Sequence, residues 1–342
     1  MKCNILIIEL YHSLKENQSI SSFLSNKGYQ VSIYSLFKQE KQRFISKKSY
    51  VLREAVCFIK LLFHFLQLRN KINYCLGGYY SILLIYKLLG LFLGANFKLF
   101  IYNFYIHQAG EKPIIQYILR FLLRNKHCIL IVQSPAEVDY YAKLTSIPIH
   151  FVPYCAPERK LAAQRTVLLP DKEYIFTGGY TNRDYGSVIA CAIKMPDTLF
   201  VVVISSLNVE LRGQKIPPNV IIYKDIDRDK FEYLLANSTI VLVPLMKNVG
   251  SSGQMLCLSA MQFKKAIVYS NVSVISYYLD NDAGIPYRIG DPDSMEKSLK
   301  TMLLYPKLRE MKGTNAFKNY IDYYTPEHQF SQLYNIIEQY VG

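Results

Sequence analysis

The sequence of 342 residues contains no tryptophan and few charged residues. Charged side chains make up 19% of it and hydrophobic side chains 51%. A chain with so many apolar residues folds around a core, so the composition excludes a disordered or low-complexity protein. The chain is longer than a domain with a single hydrophobic core usually is, and its length suits two domains.

Closely spaced cysteine pairs are also missing. The seven cysteines lie far apart, at positions 3, 57, 75, 128, 155, 191 and 257. An odd number at this spacing indicates neither a disulfide framework nor a zinc site. We therefore expect buried, reduced thiols in a cytoplasmic protein. The N-terminal segment MKCNILIIEL is soon interrupted by Glu9, so it is predicted to be a buried strand rather than a signal peptide.

No uninterrupted hydrophobic run approaches the roughly 20 residues that a membrane-spanning helix needs. The apolar stretch 55–68 is broken by Lys60 and His64, and the stretch 79–97 is broken by Lys87. Two interpretations stay open. Both stretches are buried or half-buried helices of an α/β domain, or one of them lies with its flanking lysines on the surface of a bilayer.

Acidic residues are scarce in the first half of the chain. Residues 1–155 carry 19 Lys and Arg against 7 Asp and Glu, a net charge of +12, whereas the remainder carries 21 against 19. Such asymmetry is typical of a protein with a polyanionic partner, either nucleic acid or an anionic membrane surface. Because the sequence contains no recognised nucleic-acid-binding module, the membrane surface is favoured.

Predicted strands alternate with predicted helices in both halves. Strands over residues 4–10 and 31–36 flank a helix and form a βαβ unit. The pattern restarts with a strand over residues 173–177 and continues through residues 266–269. A polar stretch with three prolines, residues 153–170, separates the two patterns. We therefore predict an α/β protein with two Rossmann-like domains, each built on a doubly wound parallel sheet.

Ligands of open α/β sheets bind at the carboxyl ends of the strands, so the loops after the strands of the second half are candidate sites. One such loop contains Gly178, Gly179 and Arg183. Paired glycines let a ligand approach the backbone, and the forked guanidinium suits a phosphate. The turn at Ile226 is a candidate for backbone contact with a nucleobase. An ordinary turn is the alternative in both places.

The strongest candidate loop runs from Gly250 through Ser251, Ser252 and Gly253 to Gln254, where a predicted helix begins. A glycine- and serine-rich loop at a helix N-terminus offers free N–H groups and the positive end of the helix dipole. These features predict an anion site. Ordinary capping of the helix by one of the two serines is the alternative.

The order and spacing of four segments resemble the donor-binding half of the large retaining glycosyltransferase family with the GT-B fold. The segments are IVQSPAE at 131–137 followed by VPY at 152–154, residues 176–185, the run VPLMKNVGSSGQMLCLSAMQFKKAIV at 243–268, and residues 284–293. The resemblance covers roughly residues 125–310. It is to the family-4-like members that add sugars to lipid carriers, lipopolysaccharide and capsule.

The resemblance implies two Rossmann-like domains that face a cleft. Residues 1–160 would form a basic, membrane-facing acceptor domain, residues 170–325 a donor-binding domain, and residues 326–342 a helix that packs back on the first domain. The donor would be a UDP- or GDP-sugar, with no tightly bound cofactor and no metal held by the protein. The protein would be cytoplasmic and peripheral on the inner face of the plasma membrane, with no nucleic-acid partner.

The resemblance also implies roles for particular residues. Donor binding is assigned to Gly178, Gly179, Arg183, Ile226, Gly250, Ser251, Ser252, Gly253, Gln254 and Ser259. Arg183 and the helix N-terminus would stabilise the departing nucleoside diphosphate, while positioning of the acceptor hydroxyl on the same face gives retention. His107 would be the catalytic polar group of the first domain, with Asn103 and His12 on the acceptor side.

The sequence departs from the family pattern where the family commonly has two glutamates. Ser251 and Ser259 stand at these positions, and a hydroxyl accepts a hydrogen bond less strongly than a carboxylate does. Two functions therefore stay open: a transferase that extends a lipid-linked or growing polysaccharide acceptor, and a catalytically degenerate membrane scaffold for a partner transferase. A sugar-nucleotide epimerase is disfavoured because the loops carry no cluster of carboxylates and histidines.

Overall fold

The computed structural model divides the chain into two compact units. The first comprises Met1–Pro153 with Phe330–Gly342, and the second comprises Tyr154–Gln329. The residues that the structure describes are 2–11, 19–37, 47–68, 70–77, 80–92, 97–102, 113–159, 170–206, 211, 213–248, 250–279 and 282–341.

The first unit contains a parallel sheet with the strand order β2-β1-β3-β4-β5-β6. Its strands are β1 (Lys2–Tyr11), β2 (Tyr29–Phe37), β3 (Tyr74–Leu76), β4 (Lys98–Tyr102), β5 (Cys128–Val132) and β6 (Ile149–Phe151). Helices connect them, as parallel strands require. They are α1 (Ile20–Asn26), α2 (Lys47–Leu68), α3 (Tyr80–Phe92), α4 (Pro113–Leu123) and α5 (Pro135–Ala142).

Both faces of this sheet are buried, as is usual for parallel sheets. Alternate side chains of β1 enter different cores: Leu6 packs in a core formed with α2, α3 and α4, whereas Ile7 packs in a core formed with α1. The second core also contains Leu333 and Ile337 from the C-terminal helix of the chain. One sheet face is therefore covered by helices α2 to α4 and the other by α1 and the chain's C-terminal helix.

The second unit contains a parallel sheet with the strand order β12-β11-β10-β7-β8-β9. Its strands are β7 (Tyr174–Gly178), β8 (Leu199–Ile204), β9 (Val220–Lys224), β10 (Ile240–Val243), β11 (Ala266–Ser270) and β12 (Ile285–Tyr287). The helices are α6 (Tyr185–Lys194), α7 (Arg228–Ala236), α8 (Gln254–Gln262), α9 (Ser273–Leu279), α10 (Pro292–Leu304) and α11 (Pro306–Tyr323). The last helix of the chain, α12 (Pro326–Glu338), begins in the second unit and belongs to the first from Phe330 onward.

The strand order reverses beside the first strand of each sheet. β1 lies between β2 and β3, and β7 lies between β10 and β8. Both sheets are therefore doubly wound, and the predicted α/β class with two Rossmann-like sheets is confirmed. Among the helices described, none is long and apolar enough to cross a membrane.

The boundary between the units lies at Pro153, where the predicted seam of residues 153–170 begins. The segment after it belongs to the second unit because two buried tyrosines bind its backbone. Tyr278 Oη donates to the carbonyl of Tyr154 at 3.0 Å, and Tyr320 Oη donates to that of Ala156 at 2.9 Å.

The packing of α11 depends on a glycine, and Gly313→Ala tests it. A Cβ at Gly313 would collide with the backbone carbonyl of Lys264, at the turn after α8. We expect the substitution to lower the free energy of unfolding by about 1–3 kcal/mol, as overpacking against backbone does. Gly186→Ala in α6 is the control, because its added Cβ meets only one atom at 3.8 Å. Urea denaturation that gives equal changes for the two variants would refute this account.

Candidate functional site

The loops that follow β7 and β10 lie side by side where the strand order of the second sheet reverses. Arg183 in the first loop forms an antiparallel bridge with Leu245 in the second. Two more backbone hydrogen bonds flank the bridge: Asp184 N donates to Pro244 O at 3.2 Å, and Met246 N donates to Asn182 O at 3.2 Å. The two loops are therefore joined through their backbones, and they lie at the place where doubly wound sheets bind ligands.

The side chain of Arg183 turns back beneath its own loop and is only 6% exposed. Its Nε donates to Gly178 O at 2.9 Å and its Nη1 to Thr181 O at 2.7 Å. Among the described residues no carboxylate pairs with it and no hydrogen bond reaches Nη2. Burial lowers the pKa of the guanidinium, yet arginine stays charged in proteins. The site thus holds a positive charge that nothing described neutralises.

Gly179 makes room for this guanidinium. Its φ is +114°, a conformation that residues with a side chain rarely adopt, and an added Cβ would lie 2.6 Å from Nη2 of Arg183. Sequence analysis predicted the glycine pair as a place for a ligand to approach the backbone. In the structure, the arginine side chain already occupies the space beside Gly179.

Three buried oxygen atoms, one near the end of β7 and two in the loops, have no hydrogen-bond partner within the described ranges. They are Thr177 Oγ1, Asn182 Oδ1 and Ser252 Oγ. A buried polar atom without a partner is unfavourable by about 1–3 kcal/mol, and native structures contain few of them. Their occurrence in the segments that carry and adjoin Arg183 makes this place a candidate binding site.

The second loop brings the N-terminus of α8 to the same place. The N-cap residue is Gly253 rather than a serine, and no side-chain hydrogen bond is made by that cap. The positive end of the α8 dipole therefore lies at the loop that carries Ser252. Gly253 has φ +83°, and a Cβ there would lie 3.1–3.2 Å from the side chains of Val243, Leu245 and Ile275.

Ser259 and Gln254 lie on α8 and are buried. The hydroxyl of Ser259, where the resemblance places a carboxylate, donates to Met255 O at 2.8 Å. It can therefore act toward a ligand only as an acceptor. Gln254 Nε2 lies 3.5 Å from Tyr278 Oη, a long hydrogen bond that orients the amide across to α9.

The turn at Ile226 lies at the same carboxyl edge of the sheet, after β9. Asp225 has φ +51°, and its carboxylate accepts from Ser206 N at 2.9 Å, which ties the end of β9 to the end of β8. Ile226 itself is half-buried against the core of the second unit. The backbone of this turn is therefore held in one conformation.

The structure brings Gly178, Gly179 and Arg183 together. The loop 250–254 follows the segment that pairs with Arg183, and Gly253 lies against the side chain of Leu245. Ile226 lies at the same sheet edge. His12, Asn103 and His107 lie outside the described residues, so their roles stay predictions. Sequence reasoning missed Thr177 and Asn182. Asn182 has φ +55°, and asparagine is among the few residues that tolerate this conformation. In the described part of the chain, no group of three or more His, Cys, Asp or Glu is placed to hold a metal ion.

A buried ion cluster was also missed. Glu232 on α7 is paired with Arg159 and, at 2.7 Å, with Nε of Arg228 one turn earlier. Arg159 follows the boundary between the units, and its backbone N donates to Gln262 Oε1 at the end of α8 at 2.8 Å. The cluster fixes the start of the second unit to the helix that follows the Ile226 turn.

No protein-family model and no curated protein matches the sequence. Solved structures do match it. The sucrose-phosphate synthase of Thermosynechococcus elongatus is 14% identical with a TM-score of 0.72 over 99% of both chains. Anabaena HepE in complex with UDP-glucose is 11% identical with a TM-score of 0.65 over 99% of this chain and 100% of that one.

WaaG, a glycosyltransferase involved in lipopolysaccharide biosynthesis, is 13% identical with a TM-score of 0.61 over 95% of this chain and 98% of that one. At such low identity, these likenesses show the fold. The chain has the two-domain α/β fold of GT-B glycosyltransferases, as the sequence predicted.

Substitution of Gly253 separates backbone strain from packing at the site. We expect Gly253→Ala to lower the free energy of unfolding by about 2–4 kcal/mol, because a positive φ and a crowded Cβ act together. Gly290→Ala is the control: its φ is +68° and nothing lies within 4 Å of the added Cβ. It should lose only about 1–2 kcal/mol. Equal losses in denaturant titrations would show that the packing around Gly253 does not matter.

Proposed function

We propose that the chain is a glycosyltransferase that moves a sugar from a UDP- or GDP-sugar to a lipid-linked or growing polysaccharide acceptor, with retention. The observation that carries the proposal is the buried, unneutralised guanidinium of Arg183, in a loop whose backbone pairs with the loop that leads to the N-terminus of α8. A charge in that position is unfavourable without an anion, and a diphosphate supplies one. The UDP-glucose complex of HepE supports this choice of donor.

The transfer breaks the bond between the anomeric carbon and the diphosphate oxygen. Negative charge develops on that oxygen, and Arg183 and the α8 dipole stabilise it without reorganisation. The acceptor hydroxyl attacks the anomeric carbon from the same face, and its proton passes to the leaving phosphate oxygen. His107 is proposed to face the donor sugar from the first domain, with Asn103 and His12 on the acceptor side.

The first test measures thermal stabilisation of the full chain by a panel of nucleotides and nucleotide sugars. A ligand at about 100 times its dissociation constant adds about 2.7 kcal/mol of stability, which raises the melting temperature by several degrees. Arg183→Met should lower the melting temperature of the free protein, because the carbonyls of Gly178 and Thr181 lose their donor, so each nucleotide shift is measured from the melting temperature of the same variant without ligand. The substitution should abolish the shift caused by the nucleotide.

Arg309→Met is the control for that variant, because Arg309 lies on α11 and donates to Met302 O. It should keep the full nucleotide shift. An unchanged shift in Arg183→Met would overturn the assignment of the site.

Ser259→Ala tests whether the helix hydroxyl contacts the donor sugar. We expect the affinity for the nucleotide sugar to fall about fivefold, the effect of one hydrogen bond, while the affinity for the nucleoside diphosphate stays the same. Ser298→Ala removes a comparable buried hydroxyl, which donates to Pro286 O at 3.2 Å, and should change neither. Isothermal titration that finds equal affinities for wild type and Ser259→Ala would remove Ser259 from the donor site.

A scaffold for a partner transferase is the second candidate function. The observation that favours it is the use of the Ser259 hydroxyl within its own helix at a position where the family commonly has a carboxylate. Absence of stabilisation by every nucleotide tested, together with a stable partner in a pull-down, would support the scaffold over the enzyme.

A further inference from the structure

Helix α4 exposes an apolar stripe on its outer side. Ile114, Tyr117, Ile118 and Phe121 are each 48–74% exposed. Their spacing of three, one and three residues places them on one face of the helix. The opposite face, with Leu119 and Leu123, is buried in the core of the first unit. The helix is thus apolar on both its inner and its outer side.

Helix α2 carries a second stripe of the same kind. Val56, Ile59, Phe63 and Leu66 are 37–63% exposed and follow one another at helical spacing. The inner side of α2 enters the same core as the inner side of α4, and α3 packs against both helices with Leu84 exposed between them. Both stripes therefore point away from the sheet on the same side. We call these nine exposed side chains the α2/α4 face.

Cations surround the α2/α4 face. Lys60 is exposed within the α2 stripe, and Arg120, Arg124 and Lys126 are exposed at the end of α4. Lys87 Nζ from α3 donates to Arg124 O at 2.7 Å and lies 5.0 Å from the centre of the Phe121 ring. The sequences of α3 and α4 contain no acidic residue, and that of α2 contains one.

We propose that the α2/α4 face docks on an anionic lipid surface, with the apolar stripes among the acyl chains nearest the headgroups and the cations at the phosphates. Large exposed apolar patches on soluble proteins mark interaction sites. Amphipathic helices with basic residues bind interfaces in this way, and long basic side chains reach the headgroups while their stems stay apolar. A second copy of the chain fits less well, because the same cations would face each other.

The face differs from what the sequence suggested. The sequence left open whether the stretches 55–68 and 79–97 are both buried helices or whether one of them lies on a bilayer surface. The first of them is the second half of α2 and carries a stripe, whereas α3, within the second, exposes Leu84 as its one large apolar side chain among those described. The principal stripe lies on α4, outside both of these stretches.

The test is flotation of the full chain with vesicles, without any donor. We expect the chain to float with vesicles of phosphatidylcholine and phosphatidylglycerol, and to do so less at high salt. The affinity of the variant I114Q/Y117S/I118Q/F121S for these vesicles should be lower by about tenfold or more, because four apolar side chains no longer enter the interface. Far-ultraviolet circular dichroism and a thermal melt check that it folds.

The matched control removes four apolar side chains of similar exposure from the second unit. The variant L304Q/Y305S/I321Q/Y323S changes residues that are 46–70% exposed, and it should float as wild type does. A third variant, R120Q/R124Q/K126Q, should lose roughly fivefold in binding for each charge on anionic vesicles. On vesicles of phosphatidylcholine alone, it should bind as wild type does.

Three outcomes overturn the proposal. The first is wild-type protein that floats with neither kind of vesicle, and the second is equal flotation of wild type and the α4 variant. If the α4 variant instead converts a dimer to a monomer in sedimentation velocity, the face joins two copies of the chain and the lipid proposal fails. Vesicle binding needs no donor, so its failure is distinct from failure of the transferase proposal, which nucleotide stabilisation measures.

Discussion

The second unit depends on the placement of one buried charge. The guanidinium of Arg183 lies beneath the loop that follows β7 and bonds two carbonyls of that loop. This position requires a glycine at 179, since any Cβ there would meet the guanidinium. The backbone of Arg183 in turn pairs with Leu245, so the loop after β10 is held by the same residue. Loop conformation, the position of the α8 N-terminus and the local electrostatic potential are therefore set together.

Much of the fold could be predicted because parallel strands buried on both faces read as continuous apolar runs. β5 and β10 are fully buried and are plain in the sequence as CILIV and IVLV. β3 and β6 were not predicted, because three residues carry no recognisable period. These two strands form because the neighbouring strands offer hydrogen-bonding edges. Since those strands lie elsewhere in the sequence, the residues of β3 and β6 alone do not reveal the pairing.

The site was predictable in its loops but not in its side-chain directions. A glycine pair and a run of glycine and serine before a helix can be recognised in the sequence itself. Whether Arg183 points outward or beneath its loop depends on the φ of +114° at Gly179 and on pairing with a loop about sixty residues later. The inward direction changes the electrostatics: a guanidinium held by carbonyls keeps a fixed position, and its field acts through the loop on whatever anion binds there.

The two faces of the first sheet lead to different surfaces. One face is covered by α1 and by α12, whose Leu333 and Ile337 are fully buried and whose Glu338 accepts from Tyr29 Oη at 2.6 Å. The apolar side chains on this face of the sheet are therefore buried by other parts of the same chain. The other face is covered by α2, α3 and α4, which bury one apolar side and expose another. Since a helix that only covers a core needs a polar outer side, the outer stripes are unexplained by folding. The proposed docking on an anionic lipid surface would account for both the stripes and the basic charge that the first half of the chain carries.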